Sequence, residues 1–149
     1  MKGFYLISFG ALLMSACASL PQPDRASPNK LQLTARTLSS GDCGLFVWTA
    51  DEARRFVLFT RPSGQDAVWH DGNREISLKL SSLPPPQAQA LPPKQTFTVA
   101  SGMSISLDMR LPQVMPLGTR YKSGLLRLRP AASGDVKVVP VVGLATCQI

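Results

Sequence analysis

MSISLDMRL, residues 103–111, decides the fold. Ile105, Leu107, Met109 and Leu111 fall at every second position, and Ser104, Ser106, Asp108 and Arg110 fill the gaps. Side chains of an extended chain point alternately to opposite faces, so this period of two marks a strand with one buried and one wetted face. The same rhythm extends in both directions. Downstream, Pro112 to Gly118 reads as a loop. Tyr121-Lys122-Ser123-Gly124 then leads into a strand where Leu126 and Leu128 alternate with Arg127 and Arg129. Ser133-Gly134-Asp135 is a turn, and VKVVPVVGLATC, residues 136–147, is the closing strand. Pro140 and Gly143 within it predict an edge position or a bulge.

Upstream, QTFTVA, residues 95–100, precedes the Ser101-Gly102 turn. The Pro-rich stretch from Leu83 to Pro93 is an extended surface loop with polyproline character. AVWHDGNREISLKLS, residues 67–81, folds back at Asp71-Gly72, with Ile76, Leu78 and Leu80 alternating beyond the turn. CGLFVWT (43–49) and FVLFTR (56–61) form another hairpin across a polar connection, and residues 62–66 (PSGQD) form a turn. No sustained 3.6-residue periodicity follows residue 18. The expected fold is all-β: one domain, residues 43–149, built as a small antiparallel sandwich or barrel of six to eight strands.

The N-terminus has another grammar. Lys2 precedes an uncharged apolar run from Phe4 to Met14, followed by the small residues Ser15 and Ala16. That order is a signal peptide, residues 1–16, and the run is shorter than the ~20 residues a bilayer span requires. Leu13-Met14-Ser15-Ala16-Cys17 resembles the lipobox of bacterial lipoproteins, with Met14 where Leu is usual. The resemblance implies cleavage before Cys17, lipidation of its thiol and a membrane anchor; Ala18, rather than Asp, implies sorting to the periplasmic face of the outer membrane. Ala16-Cys17-Ala18 also satisfies the A-x-A rule, and a cut after Ala18 would release a soluble periplasmic protein. Residues 17–42, rich in Pro and Ser, form the lipidated N-terminus and a flexible tether, although LQLTART (31–37) alternatively reads as a short edge strand.

Three cysteines remain to be assigned: Cys17, Cys43 and Cys147. With Cys17 lipidated, an even pair enters an oxidising compartment, one at the start of the first strand and one at the end of the last. A Cys43–Cys147 bridge is therefore expected. The formal charge of +7 becomes +6 once Lys2 leaves with the signal peptide. Such an excess suits an anionic surface or an acidic protein partner in the envelope; in this compartment it does not indicate nucleic acid. Arg110, Arg120, Lys122, Arg127, Arg129 and Lys137 crowd the last third and form a positive stripe if their strands are neighbours.

Chemistry is sparsely represented. His70 is the sole histidine, beside a turn where an imidazole is normally solvated, and no nucleophile motif of the G-x-S-x-G kind occurs. One His and two distant Cys do not make a zinc site, and neither a calcium loop nor a phosphate-binding glycine loop is present. The expectation is a non-catalytic binding or structural domain without metal or cofactor. Leu117-Gly118-Thr119-Arg120-Tyr121, followed by Gly124, resembles the SGxRY loop of periplasmic inhibitors of c-type lysozyme, which are small, disulfide-bonded β-barrels. That resemblance implies an inhibitory contact by loop 117–124, through Arg120 and Tyr121, with Leu117 in place of the family's Ser and no Trp-x-Lys-Gly element following. The opening Cys43-Gly44-Leu45-Phe46-Val47-Trp48 and the ending Val142-Gly143-Leu144-Ala145-Thr146-Cys147 resemble small proteobacterial lipoproteins, a likeness that implies no function.

Overall fold

The computed structural model describes residues 31–62, 66–81, 91–132 and 134–149. The expected signal peptide (1–16), Cys17, the expected tether up to residue 30, residues 63–65 of the turn after β2, most of the Pro-rich stretch (82–90) and Ser133 lie outside the described residues. Eight strands follow one another: β1 (Cys43–Thr49), β2 (Phe56–Thr60), β3 (Ala67–His70), β4 (Glu75–Leu80), β5 (Lys94–Thr98), β6 (Ser104–Met115), β7 (Gly118–Arg129) and β8 (Lys137–Cys147). Each pairs antiparallel with the next, and β8 returns to β1, so the sheet closes into an up-and-down barrel. Of the two expected architectures, sandwich and barrel, the chain adopts the barrel. Closure removes the free edges that β1 and β8 would otherwise present.

The alternating positions fill the interior. Leu45, Leu58, Phe97, Ile105, Leu107 and Leu126 are each no more than 2% exposed. Eight strands enclose just enough space for such side chains to meet. Gly143 is part of that fit, because a Cβ there would stand 2.6 Å from the Met109 methyl. Thr60 and Gln95, two of the four buried polar residues among the described residues, are satisfied: the Thr60 hydroxyl donates to the Arg61 carbonyl, and Gln95 Nε2 donates to the Pro92 carbonyl at 2.9 Å. The outer wall carries Lys79, Lys94, Asp108, Arg127 and Arg129 between serines and threonines. Apolar inside and charged outside is the reverse of a barrel that spans a bilayer.

Four expectations need correction. First, residues 112–118 are not a loop: β6 runs on to Met115, Met115 pairs with Gly118, and only Pro116 and Leu117 turn the chain. The turn demands glycine, since Gly118 sits at φ +149° and any Cβ would collide with the Ala145 carbonyl oxygen. Second, Leu111 leaves the apolar face of its strand; its φ of +52° breaks the alternation and leaves it 65% exposed. Third, Pro140 does not mark an edge, because β8 pairs with β7 on one side and β1 on the other. The Pro140 carbonyl accepts from Ala50 N–H at 2.9 Å, so its missing N–H faces the place where β1 has just ended. The bulge lies beside it, on β7, where the register shifts between Tyr121 and Gly124.

Fourth, residues 31–42 are not a free tether. Leu33 is 3% exposed and packs on Phe56 and Phe59, joined by Leu38, Phe46, Trp48 and Val68 on the outside of the barrel. The segment is pinned along its length. Leu33 N–H donates to the Phe56 carbonyl at 2.8 Å, Thr34 N–H to Glu75 at 2.7 Å, and Gly41 N–H to the Gln148 carbonyl at 2.8 Å. Leu33 thus covers an aromatic patch in which the Phe46 and Phe59 rings lie 5.0 Å apart. The outer face of β1 and β2 is apolar because this strap buries it.

Candidate functional site

Among the described residues, unequal strand lengths break the barrel's outline at one end. β6 and β7 have twelve residues each, whereas β5 has five. The β5–β6 ladder stops at Lys94 opposite Asp108, and Met109 N–H still reaches the Pro93 carbonyl at 2.7 Å. Beyond that, Arg110 to Met115 has no strand partner on its β5 side among the described residues. On the other side, β7 remains paired to β8, Gly118 opposite Thr146. On the β5 side the hairpin therefore runs on past the end of its neighbour, and the end of β6 with its turn forms a lip on the barrel rim.

The lip has two chemically different faces. Pro112 opposite Tyr121 and Val114 opposite Thr119 continue the face that lines the barrel further down. Tyr121 is still inside the mouth, 7% exposed, and burial raises its phenol pKa. Val114 is beyond it and 85% exposed, with Leu117 at the turn 71% exposed. Leu117 lines one groove with Leu91, Pro116 and Ile149. The opposite face carries Arg120, paired with Gln113, and the exposed Lys122 and Arg110 follow. Arg110 donates to Asp108 at 2.8 Å, and that hydrogen bond holds the Asp108 carboxyl below its usual range.

The residues singled out from the sequence separate into groups. Arg120 and Lys122 belong to the lip. Tyr121, which the 117–124 resemblance pointed to as a contact, is a core residue of β7 with its ring inside the barrel, and the segment expected as a loop is a tight turn followed by strand. Arg127 and Arg129 share the outward face of β7 nearer the other end, beside Ser106 and Ser104 of β6. β6 and β8 do flank β7, so Arg110 joins that face. Lys137 does not: it pairs with the inward-facing Leu128 at the far mouth. Cys43 and Cys147 are bridged and stand opposite each other at the end of the β1–β8 ladder.

His70 is not the solvated turn residue expected. It is 6% exposed, and its Nδ1 accepts the Gly72 N–H at 3.1 Å, so the ring closes its own turn. In the neutral ring the proton then sits on Nε2. The nearby Thr49 hydroxyl, in the same small pocket, is engaged as a donor to Asp51 at 2.6 Å and an acceptor from Arg55 N–H. Among the described residues, no three His, Cys, Asp or Glu side chains gather as metal ligands would. The sequence reading missed Leu111, Val114 and Leu117. Val114 and Leu117 were apolar residues in a stretch assigned to a loop, and Leu111 was assigned to the buried face of a strand. Compared with known family models, curated proteins and solved structures, the chain matches none.

Proposed function

We propose that this is an exported envelope protein, lipidated at Cys17 and held on a membrane, whose barrel is a non-catalytic binding or structural module. The observation that carries the binding reading is the lip. The barrel interior is filled by its own side chains, so a partner meets the outer surface. At the lip that surface exposes two large apolar side chains, Val114 and Leu117. A bridge joining the first and last strands suits an oxidising compartment, which supports export. The signal-peptide and lipobox pattern of residues 1–17 supports the anchor and its outer-membrane destination.

The test is metabolic labelling with radioactive fatty acid, comparing wild type with Cys17→Ala. Label on the wild type alone is expected; an unlabelled wild type, secreted free into the periplasm, refutes the anchor. The same preparation is assayed against c-type lysozyme. Inhibition abolished by Arg120→Ala would replace the general binding reading with that of an inhibitor. No inhibition is the outcome expected from a buried Tyr121 and a two-residue turn.

A further inference from the structure

The lip's two faces specify a partner more closely than the module reading does. We propose that the β6–β7 hairpin is a second membrane contact, independent of the acyl chain, that lies in the interface of an anionic bilayer. The proposal rests on the reading above only for its compartment. Val114 and Leu117 form an apolar edge, with Leu111 exposed at its base, and Ile149 stands in the same groove as Leu117. Arg110, Arg120 and Lys122 stand on the other face of the same hairpin, and Asp108 beside Arg110 is engaged by it. An apolar edge with long cationic side chains beside it is the composition of an interfacial element: the apolar groups enter the acyl boundary while the cations reach lipid phosphates.

A second copy of the chain fits this edge poorly. Strand-to-strand pairing needs a regular row of donors and acceptors, and Pro112 removes one donor while the +52° φ at Leu111 kinks the row. Two copies would also bring their arginines together. Geometry permits the membrane contact in the anchored protein. Leu31 lies at the opposite barrel end, beside Asp71, Gly72 and Leu128. Leu31 lies fourteen positions after Cys17, a contour of at most roughly 50 Å at ~3.5 Å per step. The longest strands, of twelve residues, cover about 40 Å at ~3.4 Å each. The tether therefore lets either end of the barrel face the bilayer.

The experiment uses the mature chain from residue 17 with Cys17→Ser, which carries no lipid, sedimented with vesicles. Mixed phosphatidylglycerol–phosphatidylcholine vesicles are compared with phosphatidylcholine alone. Binding to the anionic vesicles is expected, with weak binding to the neutral ones. V114S/L117S should lower the partition coefficient on the order of tenfold. R120Q/K122Q should lower it about tenfold at low salt and flatten its salt dependence. All four side chains are exposed, so circular dichroism and thiol titration should show an unchanged fold. As a direct reporter, Leu117→Trp should shift its emission to the blue on adding anionic vesicles. Absence of binding to either vesicle, or binding untouched by V114S/L117S, overturns the proposal. So does self-association without vesicles that the same pair abolishes, which would make the occupant a second copy. Because the chain is unlipidated, failure here leaves the Cys17 anchor standing, and failure of labelling at Cys17 leaves this contact standing.

Discussion

Replacing both bridged cysteines with serine, C43S/C147S, isolates what chain closure contributes to this barrel. The two residues are 104 apart in sequence, so the bridge closes nearly the whole domain into one loop. In the chain-entropy account, a loop of that length removes about 16 cal/mol/K from the unfolded ensemble, or about 4.7 kcal/mol at ~298 K. Cavity terms add little, since Cys147 is exposed and Cys43 only half-buried. The ladder around them, seven registered pairs from Cys43 with Cys147 to Thr49 with Val141, stays in place. Domains are commonly stable by about 5–15 kcal/mol, so the loss removes a third or more of the total. The assay is equilibrium urea unfolding followed by Trp48 and Trp69 fluorescence, oxidised wild type against the double variant. With a slope of roughly 1–3 kcal/mol/M the midpoint should fall by about 1.5–4.5 M. Far-ultraviolet circular dichroism in water should remain that of a β protein. A loss below about 1 kcal/mol would refute the reasoning: either the ends are not bridged, or β1 and β8 remain associated in the unfolded chain.

Three further outcomes test the architecture. Leu33→Ala should destabilise the barrel by about 2–3 kcal/mol and red-shift Trp48 emission, because it strips the cover from the outer aromatic patch; no change would mean that residues 31–38 do not pack there. Gly118→Ala should lower the thermal midpoint and loosen the lip, seen as faster amide exchange in 112–121, since a Cβ there meets the Ala145 carbonyl. Burial works against Glu75's charge, but the Thr34 N–H and then Arg36 outweigh it and bring its pKa below 4.5. A carboxylate depressed by folding stabilises above its unfolded pKa and loses that contribution as pH falls through its folded value. Glu75→Gln should therefore be less stable than wild type at neutral pH, with the gap closing as pH falls below 4.5 in urea melts; a constant gap would show that the charge is irrelevant.

Strand existence was readable wherever one face is wet and the other dry. Ile105, Leu107 and Met109 alternate with Ser104, Ser106 and Asp108, and such a period is visible in a one-dimensional string. The readings failed where a residue's environment depends on a distant partner. Leu33 lies among Pro and Ser in a stretch with the composition of a linker, and is buried only because Phe56 and Phe59 display rings on the outside of the sheet. Leu111 obeys the alternating pattern but turns outward, because its backbone adopts a positive φ that no local rule predicts for leucine. His70 looked like a solvated turn residue and is instead the buried last residue of β3, paired with Glu75.

The candidate site divides along the same line. The cationic residues of the last third were visible in the sequence, but their grouping was not. Arg120 and Lys122 lie at or before the register shift of β7, opposite the stretch of β6 that has outrun the five-residue β5, whereas Arg127 and Arg129 lie beyond it, where β6 is still paired to β5.

By itself, the sequence determined the all-β character and the run of strands from Cys43 to Cys147, and it led to the expectation of the Cys43–Cys147 bridge. These follow from side-chain alternation and parity, which are properties of the string. Only the tertiary structure decided that the sheet closes, that residues 31–42 form a strap, and that β6 runs on past the end of β5 with Val114 and Leu117 in the open. Each of those depends on strand register and relative length, and register is settled between strands far apart in the chain, where the apolar faces must coincide around one shared interior.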